Sequence, residues 1–180
     1  LGIIEAVRRK KLRVKVCNTH GNRVAVAEHA FALMLAVSKN IVKYDSRLRD
    51  GFWSIEGDPY NTQLLGKTVG IIGLGSIGQE LAKRCKAFGM RVLGIKRHKD
   101  EELRKKLGID FVGGKEDLDY VLMESDFIVL CVPRTRETIG MIGDREFKLM
   151  KKRPYIINVS RGNVIQEDAL YKALREGLIR

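Results

Sequence analysis

From Lys67 onward, short apolar runs alternate with amphipathic stretches. Val69 to Ile72 is a β-branched run suited to a strand buried on both faces. After it, Ile77, Leu81, Cys85 and Phe88 recur at helical spacing, and Gly89 supplies the left-handed residue that ends such a helix. The same reading predicts further strands over 91–95, 110–112, 126–131 and 155–159. Helices are predicted over 76–88, 100–107, 115–124, 144–150 and 167–176. Pro133 stops the fourth strand. Strands alternating with helices give an α/β fold: a doubly wound parallel sheet, Rossmann-like, in three layers. A sixth strand, expected in a complete sheet, would begin about where the chain stops.

Before Lys67 the pattern differs. Residues 1–22 form a lead-in: a short basic helix or turn over 1–13, a brief strand over 14–17 and a polar turn over 18–22. The longest helical pattern lies within 23–49 and is read as one helix over 24–48, apolar almost all round in its first half. Such a helix is buried on more than one side. Ala25, Ala27, Ala30, Ala32 and Ala36 let neighbours approach closely. In a domain this small a partner subunit is the expected second surface, giving a homodimer. Residues 50–66, with Trp53, Pro59 and Tyr60, form a long loop, and long loops are usually functional or interfacial. Residues 67–180 are the α/β core.

Composition narrows the classes. The chain has 180 residues, 44% hydrophobic and 31% charged, as a globular domain has. No apolar run approaches the ~20 residues of a membrane span, so no membrane partner is expected. Three widely spaced cysteines (Cys17, Cys85 and Cys131) suit reduced core thiols in a cytoplasmic protein, with no disulfide frame and no metal site. The net charge of +12 raises nucleic acid as a partner. Against it, acids are mixed into the groups over 96–106 and 145–153, and no aromatic platforms are interleaved. The chain starts at Leu1, not Met, and stops just past an amphipathic pattern, so both ends look cut.

The chemistry begins at Gly73-Leu74-Gly75-Ser76-Ile77-Gly78, between the first core strand and its helix. In that context Gly73 allows the tight turn, Gly75 lets a pyrophosphate approach bare backbone, and Gly78 lets the helix pack on the strand. The anion sits at the positive end of the helix dipole. Ligands of such sheets bind beyond the carboxyl ends of the strands, which selects 73–78, 96–98, 131–134 and 158–162 as one crevice. An NAD-selective domain carries a carboxylate at the end of the second strand. Here Lys96 stands in that place, Arg97 follows, and no acid occurs until Asp100. Two cations there suit a 2′-phosphate and favour NADP, or dual use, over NAD alone; the alternative is a solvated basic edge.

A second pattern, Asn158-Val159-Ser160-Arg161-Gly162-Asn163-Val164-Ile165-Gln166-Glu167-Asp168-Ala169-Leu170, joins the glycine turn and Val24-Ala25-Val26-Ala27-Glu28-His29. Together, in this order and spacing, they resemble the D-isomer-specific 2-hydroxyacid dehydrogenase family. That family includes 3-phosphoglycerate dehydrogenase, glyoxylate/hydroxypyruvate reductase and D-lactate dehydrogenase. The resemblance implies that Ser76 and Ile77 present backbone to the pyrophosphate and that Val132, beside Pro133, approaches the adenosine. It implies that Val159, Ser160 and Arg161 face the nicotinamide, with Arg161 as the catalytic arginine. A guanidinium there holds a substrate carboxylate and polarises the neighbouring carbonyl during hydride transfer. The family also uses the long helix and its following loop as a dimer surface.

The sequence departs from the family in three ways. Gln166 replaces a frequent Asp, with a changed helix cap as the expected result. Lys96 weakens the NAD assignment. The proton-transferring His and its orienting Glu, which follow the arginine in the family, are not among these residues. His20, His29 and His98 are read as structural or solvent-facing. The expectation is the nucleotide-binding domain of a 2-hydroxyacid dehydrogenase, 3-phosphoglycerate dehydrogenase-like, inactive alone. The rival is a non-catalytic dinucleotide-sensing module like the family's corepressor relatives.

Overall fold

A computed structural model describes residues 2–11, 14, 21–53 and 61–180. Apart from Val14, the strand expected over 14–17 lies outside those residues, as do His20, Pro59 and Tyr60. Helix α1 spans Gly2–Arg9.

The long helix predicted over 24–48 is two helices, α2 (Arg23–Ser38) and α3 (Ile41–Arg49), bent by 65°. Asn40 makes the break, at φ 51° and ψ 34°, a left-handed conformation that asparagine tolerates better than most residues. The corner is fastened to the chain that follows. Lys39 Nζ donates to Thr62 O at 3.0 Å, Thr62 N to Ser38 O at 2.9 Å, and Asn40 Nδ2 to Asn61 Oδ1 at 2.9 Å. One face of α2 is buried, through Ala27, Ala30, Phe31 and Met34, and α3 buries no residue. No single helix among the described residues is long and apolar enough to cross a membrane.

The core then runs β1 (Thr68–Ile72), α4 (Ser76–Ala87), β2 (Arg91–Ile95), α5 (Glu101–Leu107), β3 (Phe111–Gly113), α6 (Leu118–Glu124), β4 (Phe127–Leu130), α7 (Asp144–Leu149), β5 (Tyr155–Asn158) and α8 (Glu167–Arg175). The five strands among the described residues are all parallel, in the order β3-β2-β1-β4-β5. Alternation along the strands sorts the side chains into two layers. Val69, Ile71, Val92, Phe127 and Val129 pack with α2 and α4, while Ile72, Leu93, Ile128 and Leu130 pack with α6, α7 and α8. This is the double winding read from the sequence. Two carboxylates tie down strand starts: Asp126 Oδ2 accepts from Thr68 N at 2.9 Å, and Asp110 Oδ2 from Val92 N at 2.8 Å. Such charge-assisted bonds are among the stronger ones a backbone N–H can make. Burial pushes the Cys85 and Cys131 thiols up to about 12, so both stay protonated and unreactive near neutral pH.

Candidate functional site

The strand register brings the predicted turns to one edge. Ile72 lies beside Ile95 and Leu130, and Leu130 beside Asn158. Segments 73–78, 96–98, 131–134 and 158–162 therefore all leave the carboxyl edge of the sheet. Only β4 separates β1 from β5, so the two outer turns start about 10 Å apart at the usual strand spacing.

The three glycines of the turn do different work. Gly73 has φ +107°, and a Cβ there would meet the Cys131 carbonyl carbon at 2.8 Å and Val132 N at 2.9 Å. Gly78 lies so close under the turn that a Cβ would stand 2.3 Å from Gly73 O. At Gly75, by contrast, a Cβ would meet nothing within 4 Å, and its backbone is extended (φ −76°, ψ −163°). Gly75 is the N-cap of α4 and offers no side-chain cap. The first N–H groups of that helix, from Ser76, Ile77 and Gly78, have no carbonyl one turn back, so they point to an open space at the positive end of the dipole. That cradle fits a phosphate group.

Beside the cradle lies a cavity of about 380 Å³, floored by Ile72, Ile95 and Leu118 and bordered by Val132 and Pro133. Lys96 and Arg97 both line it, as the sequence predicted, but they are not equivalent. Lys96 Nζ donates to Asp100 Oδ2 at 2.5 Å, while Asp100 Oδ1 accepts from Leu103 N at 2.9 Å and caps α5. Lys96, then the Leu103 N–H, hold the Asp100 carboxyl below its usual range. The acid that seemed too far along the chain thus turns back on Lys96, which is not a free phosphate ligand. Arg97 is exposed and makes no ion pair within 4 Å among the described residues.

At the other end, Val159 and Ser160 line a shallow groove with Asn158 and, from α2, Ala25, Val26 and His29. Asn158 shapes the turn: its Oδ1 accepts from Ser160 N at 2.9 Å and its Nδ2 donates to Arg161 O at 3.0 Å. Arg161 is exposed, and its Nη1 donates to Ser160 O at 2.8 Å. Ser160 Oγ is shielded from solvent and has no hydrogen-bond partner among the described residues. Sequence reading did not place His29 at the crevice. It is exposed, as expected, but the packing of α2 against β5 carries it to the Ser160 side, which no local pattern announces. His98 is exposed beyond the end of β2. Gln166 sits at the N-cap of α8 without capping it; its Nε2 donates to Gly140 O at 2.9 Å instead, tying the segment after β4 to the helix. Among the described residues no cluster of His, Cys, Asp or Glu could hold a metal ion.

Comparison with known proteins agrees with this arrangement. A glyoxylate reductase of Pyrococcus horikoshii is 45% identical over 161 residues, covering 86% of this chain and 47% of that protein. A D-3-phosphoglycerate dehydrogenase of Archaeoglobus fulgidus is 42% identical over 159 residues, covering 88% of this chain and 29% of that protein. Among solved structures, the D-lactate dehydrogenase of Escherichia coli superposes with a TM-score of 0.85 at 32% identity, over 98% of this chain and 54% of that one. The Aquifex aeolicus D-lactate dehydrogenase, complexed with NAD and lactic acid, gives 0.84 at 35% identity, over 98% and 51%. The chain spans about half the length of the glyoxylate reductases that it matches. The family model described as D-isomer specific 2-hydroxyacid dehydrogenase, NAD binding domain, matches residues 31–180. With the glycine cradle and the Asn158–Arg161 turn on one sheet edge, this chain belongs to that family as its NAD-binding domain.

Proposed function

We propose that residues 1–180 are the nucleotide half of a cytoplasmic oxidoreductase that moves hydride between a nicotinamide and C2 of a small 2-oxo or 2-hydroxy acid. The observation that carries this reading is the open cradle at Gly75, which shares a sheet edge with the Asn158–Arg161 turn. The cradle fits the pyrophosphate of a dinucleotide, and Ser76 and Ile77 supply N–H groups to it. Val132 and Pro133 border the adenosine cavity, and Val159 and Ser160 flank the nicotinamide end. The nicotinamide supplies the hydride acceptor or donor. Arg161 fixes the substrate carboxylate and draws charge from the carbonyl beside it. The unpaired Cys85 and Cys131 suit a reducing compartment. Among substrates, 3-phosphoglycerate suits the net charge of +12, and glyoxylate suits the relatives at up to 45% identity. The proton-transferring histidine is assigned to the part of the protein beyond these residues, and the chain alone is expected to turn over no substrate.

Both NAD and NADP are proposed as cofactors, with Arg97 as the ligand of a 2′-phosphate. Calorimetric titration with NADH and NADPH tests this. Arg97→Ala is expected to weaken NADPH by roughly 1–3 kcal/mol and to leave NADH nearly unchanged, because a charge-assisted bond to phosphate is lost in only one of the two. Equal losses would contradict the assignment, and no heat from either nucleotide would contradict the reading as a whole.

A homodimer through α2, α3 and the following loop is proposed as well. Ile41 (51% exposed), Val42 (74%), Phe52 (66%) and Trp53 (84%) are large apolar side chains left exposed among the described residues. Sedimentation velocity should find a dimer for the wild type and a monomer for Val42→Lys with Trp53→Ser. A monomeric wild type would refute this assembly.

A further inference from the structure

The end of β2 lacks the carboxylate that would discriminate between the two nicotinamide nucleotides, yet an acid from another element lines the same cavity. Glu137, on the segment between β4 and α7, lines it together with Arg97 and Lys115. Glu137 Oε2 accepts from Lys115 Nζ at 2.8 Å. Lys115 opens a single 3₁₀ turn, Lys115–Asp117, just after β3. In the sheet, β2 and β1 lie between β3 and β4, so the pair joins segments whose strands are about 14 Å apart. It therefore reaches over the carboxyl ends of β2 and β1, where an adenosine ribose would sit.

The surroundings hold Glu137 in that position. Thr138 Oγ1 donates to Pro133 O at 2.7 Å and accepts from Thr135 N at 2.8 Å, which braces the segment on both sides of Glu137. The neighbouring acids are committed elsewhere. Asp100 serves Lys96 and α5, while Asp117 accepts from Gly114 N at 2.9 Å and faces Lys99 at 3.3 Å. Glu116 lies 3.8 Å from Lys99. Glu137 shares the cavity with Arg97, and the Lys115 hydrogen bond first, with the Arg97 charge after it, holds its carboxyl below the usual range.

We propose that Glu137 sets the balance between NAD(H) and NADP(H), by occupying Lys115, offsetting Arg97 and standing where a 2′-phosphate must enter. The inference rests on the nucleotide reading of the crevice. A phosphate monoester carries nearly two negative charges and meets repulsion from a carboxylate that lines the same cavity. A free 2′-hydroxyl is neutral and donates to the same carboxylate. Removing the charge while keeping the shape releases Lys115 and Arg97 to make charge-assisted bonds to the phosphate. The side chains of the pair are more than half exposed (Lys115 57%, Glu137 58%), so the fold does not depend on it.

The test is fluorescence titration of the chain with NADH and NADPH, for wild type, Glu137→Gln, and Glu137→Gln combined with Lys115→Ala. Glu137→Gln is expected to raise the NADPH-to-NADH affinity ratio by roughly tenfold or more, and the second substitution to remove most of that gain. The gain should also shrink as salt rises from 0.05 to 0.5 M, since roughly that range shortens the screening length severalfold. A ratio that stays level or falls in Glu137→Gln, with wild type binding NADH, overturns the role of Glu137 alone. Wild type that binds neither nucleotide overturns the reading of the crevice and this proposal together.

Discussion

Gly75→Asp is expected to abolish nucleotide binding while leaving the domain as stable as before. The position has extended backbone, and nothing lies within 4 Å of a Cβ built there, so a side chain meets no steric penalty. Aspartate is also among the better N-cap residues, and a carboxylate at the start of α4 is favoured by the helix dipole. Stability should hold, or rise by a few tenths of a kcal/mol. The new carboxylate, however, fills the cradle and repels the pyrophosphate. We expect the affinity for NADH to fall by roughly a hundredfold or more, the scale of losing several charge-assisted bonds together. Thermal melting and NADH titration of the same sample check both halves. Unaltered NADH affinity would mean that the cradle holds no phosphate.

The neighbouring glycines should behave in the opposite sense. Gly78→Ala places a methyl group 2.3 Å from Gly73 O and 3.2 Å from Ile71 Cγ2. Backbone cannot move aside as the end of a side chain can, so α4 must lift from β1. Gly73→Ala combines contacts of 2.8–2.9 Å to the Cys131–Val132 peptide with a φ of +107°. Overpacking costs roughly 1–3 kcal/mol and the unfavourable φ adds about 1–2 kcal/mol at Gly73. For a chain of this length, 1 kcal/mol moves the melting temperature by ~2–4 °C, so losses of about 2–12 °C for Gly78→Ala and about 4–20 °C for Gly73→Ala are expected. Circular dichroism melting of the two variants beside Gly75→Asp gives the comparison. If Gly78→Ala melts with the wild type, the helix does not pack on the turn as described. The three glycines of one motif thus separate into two that shape the fold and one whose surroundings stay open for the proposed nucleotide.

Much of the fold was legible in the sequence because the governing signals are local. A β-branched run followed by a glycine turn and a 3.6-residue period leaves few alternatives, and β1, α4 and β2 appear within a residue of their expected bounds. The predicted ends of β4 and β5 ran one residue long. Cys131 N still donates to Ile72 O and Val159 N to Leu130 O, but the chain is already turning into the crevice there. The long helix predicted over 24–48 divides at Asn40, although its apolar pattern passes through that residue without interruption. What breaks it is a backbone conformation, stabilised by bonds to Asn61 and Thr62 that lie a loop away.

At the site, the backbone elements were legible and the side-chain partnerships were not. Lys96 read as a free cation because Asp100 was counted by its distance along the chain, and the return of the chain at the start of α5 brings it back. Gln166 read as a cap, but its extra methylene carries the amide past the helix end to Gly140. Glu137 carried no signal at all. Its place in one cavity with Arg97 follows from the strand order, which sets the segments after β3 and β4 over that cavity.

The proposed function requires the glycine turn and the Asn158–Arg161 turn to hold opposite ends of one dinucleotide. The most direct measurement is an amide-shift NMR titration of the isotopically labelled chain with NADH. The amides of Gly75, Ser76, Ile77 and Gly78 should shift together with those of Val159, Ser160 and Arg161, along one binding curve with one Kd. Shifts confined to a single turn, or two turns following different curves, would contradict it.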